Sequence, residues 1–267
     1  MRFYLTFFIL FLFMSIVQSQ PYIIAHRGFS GFYPENTKAS ILAALEQKVD
    51  MIEIDIHQTK DGRLVVIHDK TINRTTNGKG LIKELNLADI KKYDAGSWYD
   101  KKFNEERILT LEEVIEIVDS KAKLLIEIKE TSDYYPGIEN KLVSLIRQYN
   151  AQKWCLIQAF DTDIIKNVKN LADDILVYKL IVFKMRYFPI FFDTKIRFGN
   201  LKQFEFTEGI NPNFKFASKH YVNKVHKLGK QVFCWTVNDV NSYNRLKKIG
   251  VNGVITNFPD KLNQIQH

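Results

Sequence analysis

The stretch Met51–Asp69, MIEIDIHQTKDGRLVVIHD, decides the fold. Side chains of a β-strand alternate between two faces, so Glu53 and Asp55 point one way and the three isoleucines around them point the other. The isoleucine face is suited to packing under helices. Burying the carboxylate face without a partner costs several kcal/mol. The stretch therefore predicts a barrel or sheet strand with a positive group, such as a metal ion, on its acidic face.

Short strands on either side bring further polar residues to the same region. The chain turns at residues 60–63 and returns along Leu64–Ile67, a second short strand that ends in His68-Asp69. Upstream, Tyr22–Ala25 is an apolar strand that ends in His26-Arg27-Gly28. Two carboxylates and a histidine thus converge within twenty residues, and a second histidine follows a separate strand.

Strand and helix patterns alternate from residue 22 onward, which is typical of a parallel sheet. A helix is predicted over Thr37–Gln47, and another begins with the capping box Thr110–Glu113. Eight such units in about 250 residues predict an α/β fold, a (β/α)₈ TIM barrel, in one domain over residues 20–267. The predicted strands are Tyr22–Ala25, Met51–His57 (with its arm Leu64–Ile67), Lys123–Ile128, Trp154–Gln158, Leu176–Ile181, Gln203–Thr207, Gln231–Thr236 and Gly253–Thr256.

Two connections are longer than usual. Residues 70–108 form a predicted small insertion after strand two, with a helix at Leu87–Lys92. Residues 182–200, VFKMRYFPIFFDTKIRFGN, are aromatic and basic. Two interpretations of this second segment stay open: a loop folded onto the barrel, since monomers seldom expose large apolar patches, or a surface that makes weak contact with a membrane or a long-chain substrate.

The N-terminal residues predict an exported protein, and the net charge suggests an anionic partner. Residues 1–19 combine Arg2, an apolar core and small residues near Ser19, which predicts a signal peptide and a periplasmic or extracellular protein. An uncleaved membrane anchor is the alternative. The net charge of +8 suits anionic substrates or surfaces, or simply solubility. No nucleic-acid partner is expected, and the oligomeric state is left open. Cys155 and Cys234 are predicted to be buried, free thiols.

Polar residues cluster at the carboxyl ends of the predicted strands, the face on which such barrels perform chemistry. Glu127 and Lys129 in LLIEIKE repeat the alternation of Glu53 and Asp55. Three acids without a histidine or cysteine ligand suit one hard divalent cation, Ca²⁺ or Mg²⁺. The alternative is a salt-bridged interior in which Lys129 and Arg27 neutralise the acids.

Seven short motifs stand together in one order: HRG at 26–28, PENT at 34–37, EID at 53–55, HD at 68–69, EIK at 127–129, WTVN at 235–238 and ITNFP at 255–259. In this combination the chain resembles the glycerophosphodiester phosphodiesterase family. The resemblance implies that Glu53, Asp55 and Glu127 are metal ligands and that the insertion covers the site. The chain departs from many members at Asn257, where they carry aspartate, and this puts a supporting hydrogen bond or local charge in doubt.

Both histidines are candidates for proton transfer, because cleavage of a phosphodiester requires one group to take a proton and another to give one. The resemblance implies that His26 and His68 are catalytic, and we assign His26 as the acid and His68 as the base. The other candidates are expected to bind phosphate (Arg27, Lys129), to line the glycerol site or pack in the core (Trp235), or to support these groups (Glu35, Gln158, Asn257).

Together with these residues, the resemblance implies metal-dependent hydrolysis of a small-molecule glycerophosphodiester to sn-glycerol 3-phosphate and an alcohol. Two alternatives stay open. One is a phospholipase-type phosphodiesterase acting on lysophospholipids or phosphoinositides. The other is a barrel that binds phosphate-bearing ligands without catalysis.

Overall fold

The structure is a computed structural model that describes residues 20–266. The predicted signal peptide, residues 1–19, lies outside the described residues. Among the described helices, none has the length and apolar character needed to cross a bilayer.

Strands and helices alternate along most of this part of the chain. The strands are β1 (Tyr22–His26), β2 (Met51–Gln58), β3 (Leu64–Val66), β4 (Leu109–Thr110), β5 (Lys123–Ile128), β6 (Cys155–Ala159), β7 (Leu176–Ile181), β8 (Phe183–Lys184), β9 (Ile190–Phe192), β10 (Ile196–Phe198), β11 (Gly209–Pro212), β12 (Phe233–Cys234) and β13 (Gly253–Thr256). The helices are α1 (Lys38–Glu46), α2 (Leu87–Ile90), α3 (Leu111–Val118), α4 (Ile138–Gln148), α5 (Thr162–Leu171), α6 (Lys219–His226), α7 (Val240–Ile249) and α8 (Pro259–Asn263).

Eight parallel strands form a nearly closed barrel, in the order β11-β7-β6-β5-β2-β1-β13-β12. The last gap, between β11 and β12, is spanned by two parallel bridges, Gly209 to Gln231 and Asn213 to Trp235. Parallel pairing puts the carboxyl ends of all eight strands on one face. The predicted (β/α)₈ fold is therefore confirmed.

The alternation in the second strand sorts its side chains as predicted. Ile52, Ile54 and Ile56 are fully buried in the large core between the barrel and its helices. Met51 points inward and joins a second core that fills the barrel, together with residues of six other strands: Ile24, Leu125, Leu156, Tyr178, Phe233 and Ile255. The apolar layer inside the barrel ends below Glu53 and Asp55, so the acids stand above it, toward the carboxyl ends.

The arm after β2 carries the insertion. Strand β3 pairs antiparallel with β2, and β4 pairs with β3. The intervening residues pack on a small core of their own, which includes Ile72, Ile82 and Ile90. Helix α3 begins at Thr110 with the predicted capping box, since Thr110 and Glu113 bond each other's backbone N–H groups.

The prediction for strand six was wrong. Residues 201–204 form a 3₁₀ turn in which Phe204 is buried, and Thr207 donates to the Phe204 carbonyl at 2.8 Å. The strand is β11, further along the chain. Its Gly209 and Pro212 are typical turn residues, but Gly209 is required because a Cβ there would lie 2.5 Å from the Tyr178 ring. Strand seven is also shorter than predicted, with only Phe233–Cys234 paired as a strand.

Two further predictions have clear outcomes. Cys155 and Cys234 are buried, free thiols, as predicted. Residues 182–200 fold into a small antiparallel sheet in the order β10-β9-β8. One side of it packs on the barrel, because Phe191 is buried and its ring lies 5.4 Å from that of Phe204.

Candidate active site

A cavity of about 170 Å³ opens at the carboxyl ends of the barrel strands. Eight of the predicted site residues line it: His26, Arg27, Glu53, His68, Glu127, Lys129, Gln158 and Trp235. Phe160 and Leu180, which sequence analysis did not single out, complete one wall. The other three predicted residues, Glu35, Asp55 and Asn257, contact these lining residues from behind.

Three buried carboxylates lie at the base of the cavity. Glu53, Asp55 and Glu127 each offer an oxygen within 4.8 Å of the others. Asp55 and Glu127 are register partners on β2 and β5. Burial, together with the charges of Asp55 and Glu127, raises the pKa of Glu53 well above its usual value. Burial also acts on Asp55, but Lys129 and Arg27 outweigh it and hold the pKa of Asp55 low.

Two positive side chains partly neutralise the trio. Lys129 Nζ lies 2.7 Å from Glu127 Oε1 and 3.5 Å from Asp55 Oδ1, and Arg27 Nε lies 3.3 Å from Asp55 Oδ2. Three carboxylates against two cations leave one negative charge. In addition, Asp55 Oδ1 is buried and accepts no hydrogen bond. An all-oxygen set with an unsatisfied buried oxygen fits a hard divalent cation better than a closed salt-bridge network.

The loop between β1 and α1 orients two of the acids. The Arg27 backbone N–H donates to Glu53 Oε2 at 3.0 Å, and Asn36 Nδ2 donates to Asp55 Oδ2 at 2.9 Å. Arg27 and Asn36 both have left-handed backbone angles, with φ of 56° and 58°. Gly28, between them, cannot be replaced by a larger residue because its Cβ would lie 2.7 Å from the Ser40 backbone. Asn36 was missed as a supporting residue, although it lies within the PENT motif.

His26 ends β1 and contacts Asn257. The ring Nδ1 and Asn257 Oδ1 are 2.6 Å apart, so Nδ1 carries a proton and donates it to the amide oxygen. The other ring nitrogen, Nε2, takes no part in this bond and is available for proton transfer. Burial, reinforced by the charge of Arg27, lowers the pKa of His26 to about 4. At Asn257, the position where the resemblance leads us to expect aspartate in many members, the partner of His26 is thus a neutral amide that forms a hydrogen bond.

His68 follows the arm and has a charged partner. Its Nδ1 lies 2.7 Å from Asp69 Oδ1. The backbone carbonyl of His68 accepts a bond of 2.9 Å from His57 Nε2, whose Nδ1 in turn lies 2.8 Å from the Tyr135 hydroxyl. Burial lowers the pKa of His57 to about 4, which keeps this ring neutral. His57 was missed as a supporting residue; its only signal was its position in phase with Glu53 and Asp55.

Arg74 of the insertion joins the two sides of the site. It donates to both oxygens of Glu35, at 2.7 and 2.9 Å, and to Asp69 Oδ2 at 2.8 Å. Glu35 also accepts a bond of 2.8 Å from Arg27 Nη1. Glu35 therefore orients Arg27. The N-cap of helix α1 is Thr37, so Glu35 has no capping role there. Sequence analysis missed Arg74, since nothing in its local sequence shows that two distant carboxylates meet there.

The wall opposite the histidines is built on β6, β11 and β12. Trp235 packs edge-on against Phe160 at 5.5 Å, and its Nε1 donates to the Asn211 carbonyl at 3.0 Å. Asn211 also donates to Gln158 Oε1 at 3.2 Å, and Gln158 Nε2 lies 3.5 Å from Glu53 Oε1. Asn211 was missed because the strand that carries it was placed elsewhere.

Comparison with known proteins identifies the family of the chain. The model of the glycerophosphoryl diester phosphodiesterase family matches residues 26–261. The chain belongs to this family. The match covers every candidate residue named above, and the predicted resemblance and enzyme class are confirmed.

Individual relatives are similar over nearly their whole length. A glycerophosphodiester phosphodiesterase of Caldanaerobacter subterraneus subsp. tengcongensis is 40% identical over 90% of this chain and 95% of its own. One from Bacillus subtilis is 34% identical over 91% and 85%. A phosphodiesterase from Oleispira antarctica, solved with its product sn-glycerol-3-phosphate, superposes with a TM-score of 0.83 at 28% identity and covers 93% of this chain and 98% of its own.

The bridge made by Arg74 yields a first prediction. We expect Arg74→Met to lower kcat by about 10- to 100-fold, because Asp69 and Glu35 lose the group that positions them, while KM changes little. Arg74→Lys should recover only part of the rate, since lysine cannot bond two carboxylates in one plane.

Arg107→Met is the matched control, because Arg107 lies in the same insertion and bonds only backbone carbonyls. Steady-state kinetics and thermal unfolding of the three variants provide the test. Unchanged kcat in a folded Arg74→Met variant would contradict the positioning role.

Proposed function

We propose that the chain hydrolyses glycerophosphodiesters to sn-glycerol 3-phosphate and an alcohol, with one divalent cation and two histidines. The observation that carries this proposal is the cavity itself. Three kinds of side chain line this one opening: carboxylates (Glu53, Glu127), imidazoles (His26, His68) and the positively charged amine of Lys129. Family membership and the product held by the Oleispira antarctica relative support the substrate class.

The positive groups in the cavity suit a phosphodiester anion. Arg27 and Lys129 line the opening, and each forms an ion pair with a buried carboxylate, Asp55 or Glu127, so their charges are fixed in position. Fixed charges stabilise the additional negative charge of the transition state without reorganisation. The flat face of Trp235 and the Phe160 ring offer an apolar wall for the glycerol carbons.

The oxygen ligands of the proposed cation are Glu53, Asp55 and Glu127. Ca²⁺ and Mg²⁺ are the candidates, because both prefer oxygen ligands. When bound, such an ion supplies charge stabilisation to a phosphoryl oxygen. With the cation bound, the trio would keep one net negative charge, and Lys129 and Arg27 would then make the site net positive, which suits a phosphodiester anion.

We assign the proton-transfer roles from the partners of the two rings. Asp69 bonds His68 Nδ1 and orients the ring, so that Nε2 is left to take the proton of the attacking water or glycerol hydroxyl, which favours His68 as the base. Asn257 is neutral, so a proton on the His26 ring is held less firmly and is readily given to the leaving alkoxide. A phosphate anion bound beside His26 opposes the effect of burial and favours its protonated form.

The cation yields a second prediction. Dialysis against EDTA should abolish release of choline from glycerophosphocholine, and Ca²⁺ or Mg²⁺ should restore it. The chelated protein should remain folded by circular dichroism, so that loss of rate reports the site. Calorimetric titration of the apo protein should show one site per chain, and that site should be lost in Asp55→Asn. Full activity in EDTA would contradict the proposal.

The histidines yield a third prediction. His26→Ala and His68→Ala should each reduce the rate on glycerophosphocholine by about 10²- to 10⁴-fold, the usual contribution of a general acid or base. A glycerophosphodiester whose leaving alcohol is p-nitrophenol separates the roles, because p-nitrophenolate departs without a proton. His26→Ala should recover most of its rate on that substrate, whereas His68→Ala should not.

His226→Ala is the control, because His226 lies at the end of α6 and bonds Asn252 away from the cavity. The converse pattern, with recovery in His68→Ala, would exchange the roles of acid and base. A folded variant with nearly wild-type rate on both substrates would remove that histidine from the mechanism.

We also propose that the chain is exported and processed after Ser19. The support is the charged start and apolar core of residues 1–19, and the barrel strands begin directly after it, at Tyr22. N-terminal sequencing of the protein from fractionated cells is the fourth test. A chain that begins at Gln20 in the periplasm or medium is expected; an intact N-terminus in the cytoplasm would contradict export.

A further inference from the structure

One face of the small sheet β8–β10 is entirely apolar. The register pairs Phe183 with Phe192 and Phe192 with Ile196, and it pairs Ile190 with Phe198. Residues paired in this way share a face. Ile196 and Phe198 are 69% and 79% exposed. We call this surface the apolar face.

Neighbouring residues enlarge the apolar face. Tyr187 and Phe188 form the tip between β8 and β9 and are 81% and 59% exposed. Lys184 Nζ holds the tip by donating to the carbonyls of Met185 and Phe188, at 2.9 and 2.5 Å. At the other end, the exposed ring of Phe216 packs 5.2 Å from Phe183. Monomeric proteins rarely expose a contiguous apolar surface of this kind without a binding role.

The opposite side of the sheet is firmly packed, so the exposure is not a consequence of a loose loop. Phe191 is buried against Phe204. Asp193 and Lys179 form an ion pair at 3.2 Å in which neither side chain reaches solvent, and Lys179 also donates to the Phe160 carbonyl. The sheet is thus tied to β7 and presents its apolar face outward.

Two exposed basic residues border the apolar face. Arg186 lies at the tip, 5.2 Å from the centre of the Tyr187 ring, and Lys195 directly precedes Ile196. The other two basic residues of the segment, Lys184 and Arg197, pair with Phe191 and therefore lie on the packed side. The one acid of the segment, Asp193, is buried and paired with Lys179 and Arg197. Arg186 and Lys195 thus give the apolar face a basic rim.

We propose that the apolar face docks on an anionic lipid bilayer. Aromatic side chains enter the headgroup region, while lysine and arginine bind the anionic headgroups. A symmetric dimer through the same face is disfavoured, because it would bring two copies of the same basic rim together. Leu180 of β7 lines the active-site cavity, and the small sheet begins three residues later, at Phe183. Docking would therefore bring the cavity mouth towards the lipid surface.

The experiment measures binding of the processed protein, residues 20–267, to phosphatidylglycerol-containing vesicles and to pure phosphatidylcholine vesicles by co-sedimentation. The processed form is used for two reasons. It contains all eight barrel strands, and the apolar residues 1–19, which it lacks, would themselves bind lipid. Strong binding to the anionic vesicles, weakened by salt, is expected.

Two double variants separate the apolar and the charged contributions. Ile196→Ser with Phe198→Ser should weaken binding about tenfold or more. Arg186→Glu with Lys195→Glu should weaken it by about fivefold or more for each basic group lost. The matched controls are Leu42→Ser with Leu171→Ser, two exposed leucines on α1 and α5, and Lys153→Glu with Lys166→Glu, two exposed lysines away from the small sheet. These controls should bind as the wild type does.

All four variants change exposed residues outside the cavity, so hydrolysis of soluble glycerophosphocholine should remain unchanged. Absence of binding to anionic vesicles would overturn the proposal, as would equal loss in the controls. A dimer by analytical ultracentrifugation that Phe198→Ser dissociates, without vesicle binding, would show instead that the face joins two copies. Activity and vesicle binding are separate readouts, so failure of one proposal does not imply failure of the other.

Discussion

Three carboxylates buried together on adjacent barrel strands are the constraint on which the site depends. Glu53, Asp55 and Glu127 lie above the apolar filling of the barrel, where unpaired charge is costly. Their positions require compensation from several directions. Lys129 and Arg27 supply two positive charges, and the unsatisfied oxygen of Asp55 leaves room for a third. The groups that neutralise the trio are also the groups suited to bind a phosphodiester.

Hydrogen bonds join the loops around the trio. Arg74 bonds both Glu35, which holds Arg27, and Asp69, which holds His68. Positioning of the phosphate-binding side and of the proposed base thus depends on one arginine of the insertion. The insertion therefore contributes to the geometry of the site.

The connection after β7 serves two different surfaces. Its inner side, with Phe191 and Asp193, is part of the packed structure, and its outer side presents Phe198 to solvent. The packed inner side agrees with the interpretation as a loop folded onto the barrel, and the exposed outer side is the surface on which the membrane proposal rests. Alternation in a strand makes this division possible, since neighbouring aromatic residues on one strand face opposite environments.

The sequence by itself determined the barrel, the acidic trio and the two histidines. Alternation of isoleucine with acids in β2 is a local signal, and its physical cause, a strand with one face under helices, acts within a few residues. Tertiary structure alone decided what depends on distant partners. The ion pairs of Arg74, the place of Asn211 on β11, and the exposure of Phe198 beside buried Phe191 arise from contacts between segments far apart in the chain. Local propensity does not contain such contacts, which is also why the sixth strand was predicted at Gln203–Thr207 and lies instead at Gly209–Pro212.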